Sequence, residues 1–139
     1  MTPLHVRPYR EGDEAGVTAL WTACFPDDRP WNTPREVIRR KLGVQRELFL
    51  VAVIDERIVA AVIAGYDGHR GWIHRLAVAP DVRRRGLGRR IMEQAEMRLR
   101  ERGCPKVNLQ VLASNREVVV FYERLGFTVE DRVSMGKRL

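Results

Sequence analysis

Apolar residues recur along the 139-residue chain with two different rhythms, and each rhythm predicts a type of element. Leu4 to Arg7 reads as a short opening strand. After Glu11-Gly12-Asp13, the positions Val17, Leu20 and Trp21 fall at helical spacing. Pro26 to Asn32 mixes prolines with Asp27, Asp28 and Asn32, which breaks regular structure into a turn-rich loop. A second helix is expected from Thr33-Pro34, with Thr as N-cap, Pro in the first helical position and Val37, Ile38 and Leu42 as its apolar stripe. Val/Ile/Leu-rich runs then predict strands over 47–54, 58–65 and 72–78. Asp55-Glu56-Arg57 and Tyr66 to Gly71 form the turns between them.

Helical spacing returns after Pro80. Leu87, Ile91, Ala95 and Leu99 form one broad stripe that stops at Gly103, with Pro105 just beyond. Val107 to Val111 follows as a strand, so this strand–helix–strand unit predicts a parallel pair. In Val118-Val119-Val120-Phe121-Tyr122, local propensity favours strand. Against it stand a capping box of Ser114 and Glu117, a glycine at position 126, and helical spacing of Val118, Phe121, Tyr122 and Leu125. A helix is expected. Phe127 to Leu139 is expected to close the chain as extended structure. The order β-α-α-β-β-β-α-β-α-β predicts an α/β (α+β) fold with a mixed sheet, antiparallel in its first half. No repeat or linker divides the chain, so residues 1–139 are expected to form a single domain.

Composition narrows the function classes. No apolar run approaches the roughly 20 residues of a membrane span, and the N-terminus lacks a signal-peptide pattern, so a cytoplasmic protein without membrane contact is expected. Cys24 and Cys104 are too few for a disulfide framework, and His5, His69 and His74 are scattered without ligand spacing. No metal site is expected. The net charge is +7 and nearly all the cations are Arg, with Lys only at 41, 106 and 137. Such a surface suits phosphate, on nucleic acid or on a nucleotide-like cofactor. Arg83, Arg84, Arg85, Arg89 and Arg90 crowd around Gly86 and Gly88, where a strand gives way to a helix. Glycines there let backbone amides approach a phosphate, and the helix N-terminus adds roughly half a positive charge. Ile91 replaces the third glycine of a dinucleotide fingerprint, and Arg89-Arg90 replaces the Lys-Ser/Thr of a P-loop. By itself the loop fits either a phosphate cradle or a plain strand-to-helix turn.

Two longer patterns surround this loop. Leu76-Ala77-Val78-Ala79-Pro80 followed by Arg83-x-x-Gly86-x-Gly88 resembles motif A of the GNAT superfamily, the acetyl-CoA-dependent N-acetyltransferases. Ala113-Ser114-Asn115 and Phe121-Tyr122-Glu123-Arg124-Leu125-Gly126-Phe127 are similar to its motif B. The chain is thus identified as a member of the small, single-domain bacterial type. The resemblance implies two parallel strands that splay apart, with the pantetheine of acetyl-CoA between them. Backbone groups of Leu76, Ala77 and Val78 would pair with the cofactor like an added strand. Amides from Arg84 through Arg85, Gly86, Leu87, Gly88 and Arg89 would cradle its pyrophosphate, with charge added by Arg83 and Arg84. Asn115 matches a position that hydrogen-bonds the cofactor arm.

The resemblance also implies chemistry. Tyr122 matches the tyrosine used as general acid toward the departing thiolate. Many relatives carry a carboxylate base at positions that here read Trp72 and Gln110. His74, in a His-Arg-Leu-Ala-Val strand similar to that of arylalkylamine N-acetyltransferases, is the remaining candidate base, with water as the alternative. Asp28, Trp31 and Asp67 fall in loops that line the acceptor side in this fold. The function expected is direct transfer of acetyl to a primary amine, on a small molecule or on a protein N-terminus or lysine, by a monomer or homodimer. A non-catalytic acyl-CoA sensor and a basic nucleic-acid-binding module are the rivals. No recognition-helix or aromatic RNA-binding signature supports the latter, and no specific nucleic acid is expected.

Overall fold

The structure, a computed structural model, describes residues 3–139. Along the chain run β1 (His5–Pro8), α1 (Glu14–Cys24), α2 (Pro34–Leu42), β2 (Phe49–Ile54), β3 (Arg57–Tyr66), β4 (Gly71–Val78), α3 (Leu87–Glu101), β5 (Val107–Leu109) and α4 (Arg116–Arg124). The five strands form one sheet in sequence order. β1 to β4 are antiparallel neighbours, and β5 joins β4 in parallel. From Val59 to Ala64, β3 is buried at every residue, so helices cover both faces of its middle. That double burial explains why the run reads as continuously apolar instead of alternating. α1 and α3 both lie against β3, and the Trp21 ring of α1 stacks on Phe49, which in turn stacks on Tyr9. α2 adds Ile38 to the same core.

α4 is helical despite its run of valines. Its cap differs from expectation: Asn115, not Ser114, is the N-cap, and its side-chain oxygen accepts from the Val118 amide at 3.4 Å. Gly126 ends the helix with φ +96°, a conformation other residues resist.

The expected closing strand does not form. Residues 127–139 have no regular structure, and β5 itself stops at Leu109, not Val111. Glu130 reaches Lys106 and Asn108, and Ser134 meets Gln110, all through side chains rather than a backbone ladder. A strand needs an edge to template it, and β5 pairs with β4 over only three residues. Charged Glu130, Asp131 and Arg132 stay solvated in this segment, and Val129, Val133 and Met135 stay exposed beside them.

Candidate active site

The site is organised by the way β4 loses its partner. β5 pairs only with Gly71, Trp72 and Ile73, so from His74 onward one edge of β4 faces no strand. A β-bulge sits at the same place. Ile63 pairs with His74 and Ala61 with Ala77, so Arg75 and Leu76 together oppose the single residue Val62. Arg75 takes φ +54° to achieve this, and the Trp21 indole N–H donates to its carbonyl at 3.2 Å. A bulge bends its strand and re-aims side chains, and the pairing of β4 with β5 ends just before it. Leu76, Ala77 and Val78 lie on the open edge beyond it. The Val78 carbonyl already accepts from the Arg83 Nε at 3.0 Å and from the Cys24 thiol at 3.5 Å.

Beyond β4, the chain turns into α3 through two left-handed residues, Arg84 (φ +67°) and Gly86 (φ +76°). Gly86 is the N-cap of this 15-residue helix, which has neither a side-chain cap nor an acidic residue in its first turn. The amides of Leu87, Gly88 and Arg89 therefore lack helical acceptors, and no acidic residue of the first turn offsets the positive end of the dipole. The arginines divide. Arg84 and Arg85 are exposed and have no side-chain partner among the described residues, whereas Arg83 turns back to Val78 and Cys24, and Arg89 donates to the Arg124 carbonyl at 3.2 Å. Gly88 has a packing role besides any phosphate role. A Cβ there would lie 3.0 and 3.2 Å from the Phe121 ring, so its bareness lets α4 approach α3.

Tyr122 is 9% exposed, held edge-on between Phe121 and Phe127 with ring centroids at 5.0 and 5.6 Å. It lines a groove of about 1540 Å³ bounded by β5, α4 and the C-terminal segment. Burial pushes its phenol up to about 12, so it keeps its proton at neutral pH. His74 lines a different cavity, of about 300 Å³, with Asn32, Val37, Arg40, Lys41, Ile63 and Arg75. The imidazole is open to this cavity yet closely ringed by protein. That desolvation, and next the Lys41 ammonium, hold its pKa below 6.5, so it is neutral at pH 7. Among the described residues, no group of three or more His, Cys, Asp or Glu is placed to share a metal ion.

Residues 15–127 match the model of the acetyltransferase (GNAT) family. The chain belongs to this family. Over 136 residues it is 42% identical to an acetyltransferase of Pectobacterium atrosepticum, covering 98% of this chain and 96% of that protein. The same identity and coverage relate it to an acetyltransferase of Yersinia enterocolitica. Ard1 from Thermoplasma volcanium has the same fold, with a TM-score of 0.82 at 22% identity over 91% of this chain and 84% of that one. So does the aminoglycoside N-acetyltransferase AAC(6')-Iy, solved in complex with CoA, with a TM-score of 0.79 at 14% identity over 99% and 96% of the two chains. The described part of this acetyltransferase has no helix long and apolar enough to cross a membrane.

The expected acceptor residues of the acetyltransferase are placed less simply. Asp28 is not a free anion: its two oxygens accept from the Arg75 guanidinium at 3.0 and 2.6 Å. That guanidinium lies between the rings of Trp21 and Phe25, at 4.7 and 4.8 Å, so the pair pins the loop after α1 to the β4 bulge. The exposed Trp31 ring carries the guanidinium of Arg138 at 3.8 Å from its centroid. Asp67 accepts from the amides of His69 and Arg70 at 2.8 and 2.7 Å and shapes its own exposed turn, and these bonds keep its carboxyl below the ordinary aspartate value. None of the three lines the cavity beside His74, although Asn32, next to Trp31, does. Sequence reasoning passed over Arg40 and Lys41, which do line it. Their only signal was one of three lysines in a chain whose cations are mostly arginine, inside the basic last turn of α2.

Proposed function

We propose that this acetyltransferase is a single-domain, cytoplasmic enzyme that takes acetyl from acetyl-CoA and transfers it directly to a primary amine. The observation that carries this reading is the open edge of β4 running up to the uncapped N-terminus of α3. An extended amide-bearing chain can pair along such an edge as an added strand, and a pyrophosphate is stabilised at such a helix end. The residues present fit acetyl-CoA on these grounds. Leu76 and Ala77 lie on the edge, the amides around Gly86 and Leu87 meet the phosphates, and exposed Arg84 and Arg85 supply charge. The Asn115 side-chain NH2 has no partner among the described residues, while the side-chain oxygen caps α4. AAC(6')-Iy, which shares the fold, was also solved with a CoA-linked bisubstrate analogue, which supports the same cleft as the donor site here.

Bound acetyl-CoA supplies an activated thioester. The chain supplies two proton-handling groups. Tyr122, protonated through the neutral range, donates a hydrogen bond to sulfur as it gathers charge. His74, neutral at pH 7, accepts the proton that the amine must lose, directly or through water. Calorimetry with acetyl-CoA, paired with an assay of free thiol released in the presence of an amine panel, tests the proposal. Binding is expected in the unmodified protein and is lost in Gly86→Glu, whose carboxylate repels the pyrophosphate. Binding without turnover on any amine overturns catalysis in favour of an acyl-CoA sensor. No acetyl-CoA binding overturns the donor site.

A further inference from the structure

Resting on that reading, we infer that the cavity beside His74 selects a small amine that also carries a carboxylate, of the size and chemistry of a free amino acid. Its volume of about 300 Å³ stands at the lower end of the range for small-ligand pockets, roughly 300–1,000 Å³. Its wall is cationic: Arg40, Lys41 and Arg75 line it, and no carboxylate does. Arg75 is balanced by Asp28. Lys41 has no such partner: the carboxylate whose field reaches it, Glu47, is itself paired with Arg102 at 2.6 Å. The Lys41 ammonium donates to the Ala64 carbonyl at 2.6 Å, and among the described residues no carboxylate lies within 4 Å of it. Arg40 donates to the Trp31 carbonyl at 2.8 Å and stands 3.8 Å from Glu36, whose nearer partner is Arg39 at 2.7 Å. Burial works against the charge on Lys41, and an anion arriving there relieves it. The same wall repels an acceptor that brings only ammonium groups. A carboxylate held at Lys41 and Arg40 leaves an amine on the same or a neighbouring carbon facing His74.

The test measures thiol release with matched acceptors: an α-amino acid, its carboxamide, a linear polyamine and a peptide with an acidic first residue. Each is run on the unmodified protein, Lys41→Gln, Lys41→Arg and Arg40→Gln. A charge-assisted contact gives an expected preference for the amino acid over its carboxamide of about tenfold or more in kcat/KM, expressed mainly in KM. Lys41→Gln collapses the preference, Arg40→Gln reduces it and Lys41→Arg retains it. Calorimetric binding of the N-acetyl amino acid gives the same ranking without relying on turnover, and thermal melts confirm that each variant is folded. Equal or better use of the carboxamide or polyamine overturns the inference. So does a preference that survives Lys41→Gln, or absence of N-acetyl amino acid binding to the folded protein. Acetylation confined to the acidic peptide overturns it in favour of a protein N-terminus. Failure of the underlying catalytic reading is separable: thiol release would then be absent with every acceptor, while calorimetric binding of the N-acetyl amino acid and its loss in Lys41→Gln persisted.

Discussion

Tyr122→Phe removes one oxygen and leaves the ring wedged edge-on between Phe121 and Phe127, so the core is preserved and only the hydroxyl is tested. The phenol's pKa, pushed to about 12 by burial, limits what that hydroxyl does. An ordinary thiol ionises near 8.5, so complete transfer of the phenolic proton to a departing thiolate is uphill by about 3.5 pH units, or about 5 kcal/mol. In the proposed mechanism Tyr122 would therefore act as a hydrogen-bond donor to sulfur as charge develops, with solvent completing the protonation. Such a bond to a charged acceptor is worth about 1.5–3 kcal/mol, which sets the loss in kcat at about 10- to 150-fold. The affinity for acetyl-CoA should barely move, because the interaction strengthens only in the transition state. Thiol release at saturating acceptor, followed between about pH 6 and 10, measures both quantities. Over that range the phenol keeps its proton, so the unmodified enzyme should show no alkaline loss traceable to it. An alkaline limb near the thiol range that disappears in Tyr122→Phe would refute this reasoning, as would an unchanged kcat.

Other consequences concern neighbouring residues. His74 has its pKa depressed below 6.5 by desolvation and by Lys41, so its neutral, proton-accepting form persists as pH falls to that value and is lost only below it. The acid limb of kcat/KM should lie below pH 6.5 in the unmodified enzyme, and His74→Gln should lose activity mainly below the acceptor's own pKa. An identical pH profile in the variant would assign proton removal to water. Gly88→Ala should lose about 1–3 kcal/mol in denaturant melts by pressing on the Phe121 ring, and Phe121→Leu should restore part of it. Equal stability would show that α3 and α4 separate without cost. Asp28→Asn strands the Arg75 guanidinium, whose side chain is 12% exposed, and should cost about 2 kcal/mol or more. An unchanged denaturation midpoint would mean that solvent replaces Asp28.

Local rhythm and local chemistry determined much of this protein. The helices α1, α2 and α3 and the strands β2, β3 and β4 lie within about two residues of where spacing places them, because burial of a stripe or a run is written in consecutive positions. α4 was legible for a related reason: its periodicity and Gly126 outweigh the strand propensity of three valines. The glycine turn at Gly86 that opens α3 was legible too, since a left-handed N-cap ahead of an apolar stripe is a local feature. What tertiary structure alone decided involves partners distant in sequence. Gly88 looks like Gly86 in the motif, but its bareness is demanded by Phe121 on another helix. Asp28 reads as a free loop carboxylate until Arg75, 47 residues away, takes both its oxygens. The segment after Phe127 has enough apolar residues for a strand, but strand formation needs an edge, and β5 ends too early to offer one. The cavity beside His74 draws on α2, β3 and β4, and no sequence window contains all three. Its positive wall is visible only once folding has placed the Asp28 carboxylate on Arg75 and left Lys41 with a carbonyl alone. Periodicity reports which face of an element is buried, whereas the charge of a pocket depends on which residues of different elements meet there.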